Sequence, residues 1–263
     1  MDDLFSNYVN RLARMTLPET YQTQVQNIQP SAKYQRAADG AMEPLAFPGY
    51  SVITPPWRDD PDNAAPYRLL EDFQQAAFRE IPAGVLAPVP PASFHMTIAD
   101  LIWADQYRHA AATDEFEANL RDRIRQSFQL YQSKYNHSEA PVEWELLGLI
   151  VMPRAIAIGL APKTEQTYER ILALRRMIYQ NSDLIALGVE QQYHLTGHIT
   201  LGYFTDLANT VDRQAFYQAC VTLNHQWIER ADIKPLQVVR AELRKFDDMT
   251  RYDRDDDWPA VML

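Results

Sequence analysis

Two stretches of this chain carry the same short pattern. Residues 94–103 read FHMTIADLIW, and residues 193–204 read YHLTGHITLGYF. Strand side chains alternate between two faces, so residues two apart share one. In the second stretch Leu195, Ile199, Leu201 and Tyr203 then point one way, and His194, Thr196, His198, Thr200 and Gly202 the other. In the first, His95 and Thr97 share a face. Each copy is His-x-Thr-hydrophobic within a predicted strand, and His95 and His198 stand 103 positions apart. The fold has to present an imidazole beside a hydroxyl twice, once in each half of the chain.

The elements around the two stretches follow a similar order. Residues 1–40 read as mostly helical, with an apolar stripe of Leu4, Tyr8, Val9, Leu12 and Met15, a break at Pro18 and a second short helix over 19–28. Residues 31–48 have weak periodicity and read as irregular. In the first half a strand over 49–54, a helix over 67–80, a short strand over 85–89 and the first motif strand precede a helix over 116–135. In the second half strands over 142–152 and 155–160, a helix over 165–179, the second motif strand and a helix over 211–230 precede a closing strand over 236–246. The expected architecture is α+β and bilobal. Two antiparallel sheets, related by pseudo-twofold symmetry and carrying outer helices, face each other across a central cleft.

Composition narrows what the groove can hold. The chain has 263 residues and a formal net charge of −10, which disfavours binding of long nucleic acid through many phosphate contacts. A nucleotide, or an RNA terminus held locally, is not excluded. No apolar run approaches a membrane span, and the acidic, amphipathic start lacks the pattern of a secretion signal, so the expected location is cytoplasmic. Cys220 is the sole cysteine, which rules out an intrachain disulfide and a thiolate metal cluster. A monomer is expected, although the sequence does not set the oligomeric state.

Two histidines facing one ligand can divide acid and base work. A neutral imidazole takes a proton from an attacking hydroxyl or water, and an imidazolium gives one to a leaving oxygen. Threonine hydroxyls supply donors to non-bridging phosphate oxygens. The scheme needs neither metal nor cofactor, and two histidines without further ligands make a poor zinc set.

HMTI at residues 95–98 and HITL at 198–201 resemble the twin His-x-Ser/Thr-hydrophobic motifs of the 2H phosphoesterase superfamily. That group includes 2′,3′-cyclic phosphodiesterases and 2′-5′ RNA ligase-like proteins. The wording around each motif is similar to a bacterial, notably cyanobacterial, branch of unknown substrate. The resemblance implies a bilobal, barrel-like α+β domain, which the element order fits over residues 48–247; the stripe and the charge leave a helical extension over 1–47 and an acidic tail or lid over 248–263. It implies that His95 and His198 act as acid and base, in an order it does not fix, and that Thr97 and Thr200 bind phosphate. Relatives close to the RNA ligase-like group carry an arginine shortly after the second motif. Gly202, Tyr203 and Phe204 stand there instead, and Ala99 and Asp100 follow the first motif.

Further residues have two readings each. His194 is a partner to His198 or a strand-end histidine, and Arg154 reaches the groove or is a surface arginine. Tyr203 is core by strict alternation, or part of the substrate pocket. Tyr50 and Trp57 stack on a base or pack inside. His109, His137 and His225 read as solvated, the run 253–257 as a solvated acidic segment, and Cys220 as buried and inert. The leading function is a metal-independent cyclic phosphodiesterase acting on a nucleotide or RNA end. The alternatives are a non-catalytic nucleotide or phosphometabolite binder, and 2′-5′ RNA end joining.

Overall fold

A computed structural model of the chain describes residues 2–135 and 141–263, so His137 lies outside the described residues. The opening stripe forms helix α1 (Phe5–Met15), which buries Tyr8 and Leu12 completely. Pro18 does more than end it. It occupies the first turn of α2 (Pro18–Gln24), where a missing N–H costs nothing. The stretch read as irregular contains a small ribbon, β1 (Tyr34–Arg36) paired with β2 (Met42–Pro44), turned at Gly40 with φ of +88°. Three-residue strands are too short to show a period, which is why alternation missed them.

The chain continues through β3 (Gly49–Ile53), α3 (Ala64–Glu80), β4 (Leu86–Pro88) and β5 (Thr97–Trp103). Then come α4 (Ala104–Ala110), α5 (Phe116–Tyr135), β6 (Glu143–Met152) and β7 (Ala155–Pro162). Next are α6 (Glu165–Tyr179), α7 (Ser182–Ala186), β8 (His198–Phe204) and α8 (Arg213–Ile228). The chain closes with β9 (Leu236–Gln237), β10 (Arg240–Phe246) and β11 (Ala260–Met262). Side chains cap the later helices. Thr164 accepts from the Thr167 N–H at α6, and Asp212 accepts from the Gln214 and Ala215 N–H groups at α8.

The fold is α+β, with two main antiparallel sheets. One has the order β11-β10-β3-β5 and the other β4-β8-β7-β6-β9, and neither closes into a barrel. The single closing strand expected over 236–246 is divided. Its first residues join β6 as β9, the chain crosses at Val238 and Val239, and the rest joins β3 as β10. The acidic segment after residue 247 is drawn into the fold. Tyr252 and Val261 are buried, Lys245 and Asp253 exchange backbone hydrogen bonds, and β11 pairs with β10. Its charges misled the reading, because Met249, Tyr252 and Val261 among them are buried. A large core underlies both sheets, and a smaller apolar cluster includes Tyr34, Phe246, Met249 and Tyr252, the last three of which line the cleft.

Candidate active site

The two motif strands do not run as evenly as their sequences promise. In β5, Asp100 stands opposite Ser51 and Ile102 opposite Tyr50, which leaves Leu101 as an extra residue. Ile98 is extra in the same way, between Ala99 opposite Val52 and Thr97 opposite Ile53. Each bulge shifts the alternation by one. Thr97, Asp100 and Trp103, three apart, therefore all line the cleft, while the residues between them are buried. β8 has one such bulge at Leu201, between Thr200 opposite Ala157 and Gly202 opposite Ile156. It brings Tyr203 to the face of His198 and Thr200, where strict alternation placed it in the core.

His95, Thr97, His198 and Thr200 line a single cleft of about 620 Å³. His95 sits just before β5 and His198 begins β8. Their rings are held alike. His95 Nδ1 is 2.7 Å from the Ser93 carbonyl, and His198 Nδ1 is 2.6 Å from the Thr196 carbonyl. A carbonyl only accepts, so each Nδ1 carries a proton and donates, and each Nε2 is left as the basic nitrogen. Neither the Thr97 nor the Thr200 hydroxyl has a hydrogen-bond partner among the described residues. Two imidazoles and two uncommitted hydroxyls thus share one space.

The surroundings of the two rings differ. Burial depresses the His95 pKa to about 4, helped by the positive charges of Lys33 and Arg244 and by His198. The edge of the Tyr252 ring meets it, with centroids 4.3 Å apart at 64°. Burial and Lys33 also depress His198, but the Asp100 carboxylate and the Thr196 carbonyl oppose the shift. Asp100 accepts from the Ser51 hydroxyl at 3.1 Å, which fixes it on the cleft wall. Tyr252 is placed from behind. Arg244, itself bound to Glu242 and Asp59, donates to the Tyr252 carbonyl at 3.1 Å.

The segment before His198 is not strand, as the sequence predicted, but a loop fastened by the N-terminal helix. The Tyr8 hydroxyl donates to the Leu160 carbonyl and accepts from the Gly197 N–H. Arg11 donates to the Thr196 hydroxyl and the Leu195 carbonyl. Gly197 sits tightly, since a Cβ there would stand 3.0 Å from both Trp144 Cζ3 and the Tyr8 hydroxyl and its neighbours would have to give. The carbonyl that orients His198 is therefore set by contacts reaching back to α1.

The remaining predicted residues divide. His194 and Arg154 line the mouth of the cleft. His194 is exposed, with Nδ1 4.0 Å from an Asp3 oxygen, and Arg154 is exposed at the β6–β7 turn. Tyr50 and Trp57 are not in the cleft. Tyr50 points to the opposite face of β3 and packs on Trp258 and Tyr107, while its neighbour Ser51 faces the cleft. Trp57 stacks on Tyr67, with ring centroids 5.9 Å apart. The sequence reading missed Lys33, Asp100, Trp103 and Tyr252. A polar residue at Asp100 within an apolar strand was the one signal that was available. Cys220 is buried and its thiol is pushed up to about 12 by burial. Among the described residues no group of three His, Cys, Asp or Glu side chains is placed to hold a metal ion, and no helix is long and apolar enough to cross a membrane.

No family model matches the sequence, and no curated protein matches it. Solved structures do. A conserved protein of unknown function from Agrobacterium tumefaciens, ATU0111, aligns at a TM-score of 0.57 and 18% identity, over 89% of this chain and 96% of that one. Escherichia coli LigT complexed with 3′-AMP aligns at 0.41 and 15% identity, over 82% and 95% of the two chains. Kluyveromyces marxianus Usb1 with uridine monophosphate aligns at 0.43 and 13% identity, over 82% and 99%. LigT and Usb1 are 2H phosphoesterases, the superfamily that the twin motifs resemble. At these values the Agrobacterium protein shows a shared fold and the other two alignments are likenesses only.

Proposed function

We propose that this chain is a 2H-type phosphodiesterase that opens a 2′,3′-cyclic or related phosphate on a nucleotide or RNA end without a metal. One observation carries the reading: both His-x-Thr pairs line one cleft, with Nδ1 of each histidine engaged by the carbonyl two residues earlier and Nε2 left basic. In the proposed reaction one Nε2 removes a proton from water as the water oxygen bonds to phosphorus. The bond from phosphorus to one ribose oxygen breaks, and the other histidine protonates that oxygen. Thr97 and Thr200 donate to the non-bridging oxygens.

The electrostatics favour His95 as base and His198 as acid, because cations surround the first and Asp100 accompanies the second. Both pKa values are depressed, so both rings are neutral at pH 7. An entering phosphodiester anion raises both pKa values towards the range in which proton transfer is efficient. The test is hydrolysis of 2′,3′-cyclic AMP in EDTA. Wild type is expected to turn over, and His95→Ala and His198→Ala to lose about 10²–10⁴-fold in rate. Turnover that survives both substitutions excludes the mechanism.

The neutrality of both rings also fits a second reading, a nucleotide-binding protein without turnover. In that case a nucleotide raises the Tm by mass action and is recovered intact.

A further inference from the structure

The residue that no motif announced is Lys33. The Gln29 N–H donates to the Pro153 carbonyl at 2.7 Å and the Ser31 N–H to the Phe204 carbonyl at 2.8 Å. These bonds lay residues 29–33 along the β6–β7 turn and the end of β8, and bring Lys33 to the cleft wall. Its ammonium lies over two rings, 4.9 Å from the centroid of Phe47 and 4.7 Å from that of Tyr203. It also donates to the Tyr203 hydroxyl at 3.3 Å.

Arg154 is exposed at the mouth of the cleft, and the buried cations nearby are committed. Arg175 is bound to Asp2 and two carbonyls, and Arg244 to Glu242 and Asp59. Lys33 forms no ion pair among the described residues, although the chain as a whole is strongly acidic. Its charge bears on both His95 and His198, so it lies within electrostatic reach of each. A half-buried ammonium with one neutral acceptor keeps two N–H donors for a ligand.

We propose that Lys33 is a further catalytic residue, contacting a non-bridging phosphoryl oxygen and holding the charge that builds there as water attacks. The assignment rests on the phosphodiesterase reading above. Thr97 and Thr200 supply dipoles, whereas Lys33 supplies a full charge in a cleft of low dielectric, where it counts most. It reaches the cleft from a segment far in sequence from both motifs. Phe47 and Tyr203 hold the flexible stem in place.

Lys33→Met keeps the stem and its packing and removes the charge. With 2′,3′-cyclic AMP in EDTA, kcat is expected to fall about 100-fold in Lys33→Met. Lys33→Arg should retain at least a tenth of wild-type kcat on the same estimate. Lys234→Met, which removes an exposed charge outside the cleft, should match wild type. A second readout needs no turnover: proton NMR of the two imidazoles, titrated with pH and with inorganic phosphate. The groups acting on the rings are Lys33, Arg244, Asp100 and Tyr252, the Ser93 and Thr196 carbonyls, and, for His95, the His198 ring. In Lys33→Met both rings should titrate at higher pH than in wild type, and phosphate should bind at least about tenfold more weakly. Wild-type turnover with kcat and phosphate affinity unchanged in Lys33→Met overturns the Lys33 assignment alone. Absence of wild-type turnover overturns the phosphodiesterase reading and the catalytic role of Lys33 with it.

Discussion

Arg175 and Asp2 form a buried ion pair that ties together the two segments bearing the histidines. The Arg175 guanidinium donates to the Asp2 carboxylate, to the Ile98 carbonyl within the first motif strand, and to the Tyr193 carbonyl ahead of the second. Asp2 also accepts from the Gln191 side chain and the Leu195 N–H. Breaking a buried pair by removing one partner costs about 3–5 kcal/mol, because the other charge is stranded. Arg175→Met is therefore expected to lower the Tm by roughly 10 °C in thermal unfolding, and to weaken phosphate binding as the two motifs drift apart. An unchanged Tm would show that the pair is not formed in solution.

Acid should destabilise the protein through His95. Its folded pKa of about 4 lies below the unfolded value of 6.5, so the unfolded chain binds more protons between those limits. The stabilisation from the neutral ring is complete above pH 6.5 and is lost as pH falls towards 4. It amounts to roughly 3 kcal/mol at about 1.4 kcal/mol per pKa unit. His95→Asn should flatten the dependence of Tm on pH across this window, and saturating phosphate should flatten it in the wild type.

The motif threonines can be tested by removing the hydroxyl and keeping the shape. Thr97→Val and Thr200→Val should each lower kcat/KM by about 10–100-fold in the cyclic nucleotide assay, as for loss of a donor to a charged group. Both should melt close to wild type, since neither hydroxyl has a hydrogen-bond partner among the described residues. A large loss of Tm would mark them as structural instead.

Tyr252 shields His95, so Tyr252→Leu should admit water and move the His95 pKa upwards towards 6.5, read by imidazole NMR. The acidic limb of the rate profile should follow. A His95 pKa that stays near 4 would place the cause of the depression elsewhere.

Much of this site could be read from spacing. His95 with Thr97 and His198 with Thr200 are close enough in sequence that no irregularity of the strand separates them. Asp100, Trp103 and Tyr203 lie beyond one or two bulges, and a bulge is a property of the pairing between strands. Tyr50 failed for a related reason: which face of β3 looks into the cleft is decided by its partners β5 and β10. Lys33 and Tyr252 stand in segments without periodicity, and Tyr252 is surrounded by acidic residues that mimic a solvated tail. The α+β class was legible because the longer helices and strands keep a clear period. The crossing at Val238 and Val239 was not, since an apolar strand joins either sheet equally well.

The cleft recruits Asp2 and Arg11 from one end of the described polypeptide and Tyr252 from near the other. A nascent chain still short of Tyr252 would leave the first imidazole wet, however well its sheets had formed. Ligand capture would therefore wait for synthesis of the segment that carries Tyr252, however early the helices had docked.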